Sequence, residues 1–195
     1  MKKNMYPIIT LFSIALLSFQ VSSKPVEWPT PSEDINTFEI AFSDIPHLSL
    51  KIPAKLSQSA TILKTSANSI SINFSEGSPL IVSSLDEEMT TGGISKSPIY
   101  ASLGVDNLVD FFAALHDQTL ASEEINMARQ IMDVLIPDTS VTYKSEFAVA
   151  YWIKNADKNN QFLYILPLKQ NIAIQIGGSL DSSKVETLLA ALKHF

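Results

Sequence analysis

Hydrophobic and polar residues alternate in the first half of the chain from Phe38 onward. The apolar members of these runs are Phe38, Ile40, Phe42, Leu48, Leu50, Ile52, Ile70, Ile72 and Phe74. A period of two predicts strands with one buried and one solvent-exposed face. Pro53 should end the second strand, because proline cannot donate to a sheet ladder. Residues 80–82 follow a turn at 75–79, so this half predicts antiparallel strands.

Two segments in the middle of the chain have helical spacing instead. The first carries an apolar stripe that ends near His116, formed by Val105, Leu108, Val109, Phe112 and Leu115. The second has Ser122 as its expected N-cap and Pro137 beyond its end, with the stripe Ile125, Ala128, Met132 and Leu135. These patterns predict two amphipathic helices. Met127, Ile131 and Val134 lie on a neighbouring face of the second helix and predict that it packs on two sides.

The last third of the chain predicts three strands and a helix. Residues 147–153 and 162–166 are apolar enough to be buried on both faces, so they should be central strands joined by a loop at 155–160. A third strand contains Ile172, Ile174 and Ile176 and ends at Gly177 and Gly178. Ser183 and Glu186 have the spacing of a capping box, and the buried stripe that follows is Val185, Leu188, Leu189 and Leu192. We expect this helix to pack on the three strands.

Together these elements predict an α+β fold with a mainly antiparallel sheet and helices packed on it, an α/β/α sandwich. Residues 37–195 are expected to form a single domain, since their number is typical of one domain. Residues 24–36 contain three prolines and predict a tail or linker. Trp28 is expected to anchor this tail to the domain, with a partner protein as the alternative.

The first 23 residues have the pattern of a secretory signal peptide. Lys2 and Lys3 precede an apolar stretch at 8–19, and small residues precede the expected cleavage after Ser23. That stretch is shorter than the roughly 20 residues that cross a hydrocarbon core. The mature protein is therefore expected to be periplasmic or secreted, without a stable membrane anchor.

Charge and composition exclude several classes of protein. The chain has 14 basic and 20 acidic residues, a net charge of −6, and the predicted signal peptide removes two of the lysines. Such an acidic chain without a basic patch argues against nucleic acid as a partner. The chain contains no cysteine, which excludes disulfides, thiolate metal sites and a cysteine nucleophile.

The sequence shows no constellation typical of catalysis. His47, His116 and His194 have no second ligand at metal-binding spacing, and His116 is expected to cap a helix as a partly cationic ring. No spacing matches a G-x-S-x-G elbow, a Ser-x-x-Lys pair or a phosphate-binding glycine loop. We therefore predict no catalytic residue, no metal site and no cofactor.

Residues 84–104 follow neither period and predict a long loop. Long loops inside compact domains are often functional, so this region is the candidate binding site. Its candidate residues are Asp86, Glu87, Glu88, Thr90, Thr91, Gly92, Gly93 and Tyr100. The three consecutive carboxylates point in different directions and do not predict a cation site. The alternative is a plain connection with a short strand near Ile99 and Tyr100.

The C-terminal part resembles the PsbP-like α/β/α sandwich superfamily. The features that carry the resemblance are the strand at 147–153, the strand with Phe162 and Tyr164, the isoleucine strand, the glycine turn, and a terminal helix closing in Ala-Leu-Lys-His-Phe, with support from residues 48–52 before Pro53. That superfamily includes an extrinsic photosystem II protein and many small exported bacterial proteins. The resemblance implies a non-enzymatic partner or assembly factor.

We therefore expect an exported, non-enzymatic binding or accessory protein that contacts another envelope protein. One form is an immunity-type inhibitor, whose acidic surface and 84–104 region would occupy the cationic groove of a toxic enzyme. The alternative is a periplasmic hydrolase acting on cell-wall or lipid substrates, with serine, histidine or carboxylates brought together by folding.

Overall fold

The computed structural model describes residues 24–30, 38–41, 48–52, 60–64, 66, 68–74, 78–117, 119–132, 140–155 and 161–194. The predicted signal peptide, His47 and most of the predicted 155–160 loop lie outside the described residues. The strands are β1 (Val26–Glu27), β2 (Phe38–Ala41), β3 (Leu48–Ile52), β4 (Thr61–Lys64), β5 (Ser69–Asn73), β6 (Leu80–Asp86), β7 (Ser140–Lys144), β8 (Ala148–Ile153), β9 (Gln161–Pro167), β10 (Ile172–Gly178) and β11 (Leu192–His194). The helices are α1 (Glu87–Thr90), α2 (Pro98–Ser102), α3 (Leu108–His116), α4 (Glu123–Ile131) and α5 (Ser182–Ala190), with a 3-10 turn at Ile94–Lys96.

Eight strands form one large sheet in the order β1-β7-β8-β9-β10-β6-β5-β4, and β11-β3-β2 form a small second sheet. All neighbouring strands are antiparallel except β1 and β7, which run parallel. The prediction of a single α+β domain with a mainly antiparallel sheet is therefore confirmed.

The large sheet is covered on both faces. One face packs against α5 and the small sheet, in a core that includes Leu163, Ile174 and Leu188. The other face packs against the helices between β6 and β7, in a core that includes Phe112 and Tyr151. The predicted packing of the C-terminal helix on the three-strand meander is confirmed, because Val185, Leu188 and Leu189 are fully buried in one core cluster with Leu163 and Ile174.

The central strands differ in how completely they are buried. β8 is buried at all six positions, as predicted for a strand covered on both faces. In β9, however, Phe162 and Tyr164 are only partly buried, so the prediction of two-sided burial is wrong for the first half of this strand. The helices do not fully cover that end of the sheet.

The C-terminal cap and ending also differ from the prediction. Asp181, not Ser183, caps α5, and its Oδ1 accepts a hydrogen bond of 2.8 Å from the backbone N–H of Lys184. The helix ends at Ala190, so Leu192 belongs to β11 rather than to a longer terminal helix. Pairing with β3 satisfies the last backbone groups better than another helical turn would, because β3 otherwise lacks a partner on that side.

The N-terminal segment lies on the domain. β1 pairs with β7 at the edge of the large sheet, and the Trp28 Nε1–H donates a 3.1 Å hydrogen bond to the Leu189 carbonyl. The Trp28 ring also meets Phe147 edge-on, with 5.4 Å between the ring centroids. The prediction that Trp28 anchors the tail is confirmed, while residues 31–36 of the predicted linker lie outside the described residues.

Within the described part of the chain, the helices are too short or too polar to cross a membrane.

Candidate functional site

The 84–104 region is a compact helical segment, so the prediction of an irregular loop is wrong. β6 runs directly into α1, and the Oδ1 of Asp86 caps this helix by accepting a 2.8 Å hydrogen bond from the Met89 N–H. Gly92 and Gly93 have φ values of 58° and 85° and turn the chain into the 3-10 turn and α2. Ile99 and Tyr100 lie in α2, not in a strand. Elements of one turn each are too short to show a period, which is why the pattern predicted a loop.

Most of the predicted site residues hold this segment together. The Thr90 and Thr91 hydroxyls donate to the carbonyls of Asp86 and Glu87 at 2.6 and 2.8 Å. The Tyr100 hydroxyl donates a 2.6 Å hydrogen bond to Glu87, and burial, followed by this contact, raises the pKa of the phenol. Glu88 forms an ion pair with Lys96. Of the eight predicted residues, Thr90 and Gly92 line a cavity of about 270 Å³.

Two adjoining cavities on the helix-covered face of the large sheet meet at Phe162. The first, of about 270 Å³, is lined by Met89, Thr90, Gly92, Ile131, Met132, Ile153, Asn155, Phe162 and Tyr164. The second, of about 370 Å³, is lined by Ser78, Pro79, Ile81, Phe162, Gln175, Gly177 and Gly178. Because the ring of Phe162 lines both, we call the pair the Phe162 groove.

Strand register places the floor of the Phe162 groove in one row. Ile153, Phe162, Gly177 and Ile81 are successive partners across β8, β9, β10 and β6. Gly177 leaves room for the aromatic ring, since a Cβ there would come to 3.2 Å from Cε1 of Phe162. With neighbouring strands about 4.8 Å apart, the row extends about 14 Å.

The rim of the Phe162 groove exposes large apolar side chains. Met89, Ile131 and Ile81, the last at the edge of the floor row, form this rim and are 59%, 51% and 49% exposed. Ile131 and Met127 were predicted to form a second packed face of α4, but both are exposed, so that prediction is wrong. Contiguous exposed apolar surface around a concavity is typical of a binding site.

The row beside this floor is polar but uncharged. It runs through Tyr151, Tyr164, Gln175, Ser83 and Ser69 on the same strands. The Gln175 amide donates a 2.7 Å hydrogen bond to the Tyr164 hydroxyl, and the two serine hydroxyls lie 2.8 Å apart. Burial raises the pKa of Tyr164, so this row offers neutral hydrogen-bonding groups rather than an acid or base.

A serine and a histidine meet elsewhere on the same face. The Oγ of Ser140 lies 2.9 Å from Nδ1 of His116, whose ring stacks on Tyr151 with 4.5 Å between the centroids. Burial, followed by the nearby charge of Arg129, lowers the pKa of His116 to about 4, so the predicted cationic helix cap is wrong. Ser140 is buried, and the charged group that acts on the ring is the Arg129 cation, so the described residues do not show the arrangement of a hydrolase at this pair.

Arg129 takes the capping role instead. Its guanidinium donates hydrogen bonds to the carbonyls of Leu115, Asp117 and Leu120, at 2.7, 2.6 and 3.0 Å. These acceptors lie at or just beyond the C-terminus of α3, where a cation is favourable. Among the described residues, no three His, Asp or Glu side chains are grouped to hold a metal ion.

No family model and no curated protein match the chain. It is similar to a crystal structure from Bacteroides thetaiotaomicron VPI-5482, with 10% sequence identity and a TM-score of 0.42. The match covers 83% of this chain and 49% of that one, so the chain spans about half the length of that protein. Function is therefore inferred from the Phe162 groove.

Proposed function

We propose that this is an exported binding or accessory protein that holds a segment of another envelope protein in the Phe162 groove. The observation that carries the proposal is the clustering of Met89, Ile131 and Ile81 around two cavities that share one aromatic ring. The predicted signal peptide supports the envelope location. The PsbP-like resemblance supports a non-enzymatic partner.

The chemistry of the groove favours binding over turnover. Its polar lining consists of hydroxyl and amide groups, namely Ser78, Thr90, Asn155, Tyr164 and Gln175. None of these is an acid, a base or an activated nucleophile at neutral pH. The His116–Ser140 pair does not line either cavity. An apolar pocket with a few fixed hydrogen-bonding groups is suited to recognition.

Site-specific photo-cross-linking in the native host tests this proposal. A photoreactive phenylalanine analogue would replace Ile131 in the groove or, as a matched control, Leu168, which is 45% exposed in the turn after β9. We expect a discrete cross-linked protein adduct from position 131 that is absent from position 168. Equal adducts from both positions, or none from position 131, would contradict the proposal.

A further inference from the structure

We infer that the occupant of the Phe162 groove is a short polypeptide segment in which basic residues flank apolar side chains. This inference rests on the function proposed above and specifies the chemistry of the partner. It combines two independent features of the described residues: the exposed apolar rim, and the balance of charge beside that rim.

The charge beside the groove is negative. Asp86, Glu87 and Glu88 immediately precede the groove residue Met89, and they belong to α1 or cap it. Lys96 neutralises one of them through its ion pair with Glu88. Asp86 and Glu87 instead accept hydrogen bonds from neutral donors, the Met89 N–H and the Tyr100 hydroxyl. These three carboxylates, which we call the acidic rim, adjoin Met89 along the chain and favour a positively charged partner.

Two basic side chains that the structure describes near the groove, Lys154 and Arg129, are directed elsewhere. The Nζ of Lys154, beside the groove residue Asn155, lies 4.3 Å from the ring centroid of Trp152. Trp152 belongs to the core on the opposite face of the sheet. Arg129 is buried against backbone carbonyls. Neither side chain offsets the acidic rim.

The size of the groove fits a short segment of polypeptide. A floor of about 14 Å corresponds to about four residues of extended chain. The two cavities, on either side of Phe162, would each receive an apolar side chain. A membrane surface fits poorly, because anionic headgroups would be repelled by the acidic rim and a flat bilayer cannot enter a concave groove.

Calorimetric titration of the exported protein with defined probes tests this inference. The probes are alternating peptides of about eight residues built from Leu and Lys, Leu and Glu, or Ser and Lys, together with phosphatidylglycerol vesicles. We expect the Leu/Lys peptide to bind at least about tenfold more tightly than the other two peptides. The affinity should fall as salt is added.

Charge variants locate this effect at the rim. The double variant Asp86→Asn/Glu88→Gln removes two negative charges, while Asn still caps α1 and Gln has the size of Glu. It should bind the Leu/Lys peptide about 3- to 10-fold more weakly than the wild type. Glu123→Gln, an exposed acid at the other end of α4, is the matched control and should leave the affinity unchanged.

An apolar variant separates failure of the partner chemistry from failure of the site. If Ile131→Ser weakens the binding of Leu/Lys and Leu/Glu peptides equally, the groove is a binding site but the basic partner is wrong. If Ile131→Ser leaves the binding of every peptide unchanged, the proposed function fails as well. Vesicle binding that Ile131→Ser abolishes would replace the polypeptide with a membrane and overturn the inference.

Discussion

Replacing Arg129 with Met tests how the helices beside the groove are held. Arg129 is 9% exposed, and its Nε–H donates to the buried carbonyl of Leu115. Met fills a similar volume but leaves this acceptor unsatisfied, which costs about 1–3 kcal/mol. Loss of a cation at the C-terminus of α3 adds about 0.3–1 kcal/mol. The other two carbonyls are only partly buried and can bind water.

The expected loss in the free energy of unfolding is therefore about 1–4 kcal/mol, less than three charged hydrogen bonds would suggest. The guanidinium itself pays a desolvation cost that Met avoids. For a domain of this size, a loss of 3 kcal/mol lowers the Tm by about 6–12 °C. Urea unfolding followed by circular dichroism would measure the change.

Three comparisons make this result interpretable. Gln130→Met, at the exposed neighbouring position, should change stability by less than about 0.5 kcal/mol. Arg129→Lys should fall between the wild type and Arg129→Met, since one ammonium cannot span three carbonyls. Removing the nearby charge should also raise the pKa of His116, measurable by NMR titration. An Arg129→Met protein as stable as the wild type would refute the reasoning.

Three further substitutions probe the rest of the fold. His116 has a pKa of about 4 in the folded protein and about 6.5 when unfolded, so the unfolded state binds more protons and stability falls between pH 6.5 and 4. His116→Gln should lessen this fall, which denaturant titrations at pH 7 and pH 4 would show. Gly178→Ala should lower the free energy of unfolding by about 2–4 kcal/mol in a urea titration, because φ at Gly178 is 144° and the new Cβ would lie 2.6 Å from the Pro79 carbonyl oxygen. Gly177→Ala should lower it less, because its Cβ meets only the movable ring of Phe162. Leu188→Ala should lower the free energy of unfolding by about 2–5 kcal/mol by the same method, and the exposed Glu186→Ala is its control. A loss below about 1 kcal/mol for Leu188→Ala would contradict the packing of α5.

Long patterns in the sequence predicted most of the fold. Six consecutive buried positions in β8 and the Ser122 cap of α4 were both identified, because each gives a strong local signal. β7 was missed, since Ser140 and Thr142 dilute its alternation. The α5 cap was misplaced because Asp181 and Ser183 are both good N-cap residues, and local spacing does not decide between them.

The candidate site could be predicted only in small part. Thr90 and Gly92 were identified through the unusual composition of their segment. Phe162 and Ile131 look like core residues in the sequence, because the local pattern of residues does not distinguish a buried apolar side chain from an exposed one. Their exposure depends on where α3 and α4 end over the sheet, which is a property of tertiary packing.

The apolar rim of the Phe162 groove is the surface that we propose binds the partner. The most direct test is the affinity of the cross-linked partner for a variant in which Ile81, Met89 and Ile131 are all serine. These side chains are exposed, so the variant should keep its Tm within a few degrees while its Kd for the partner rises at least about 30-fold. An unchanged Kd in a folded variant would contradict the account.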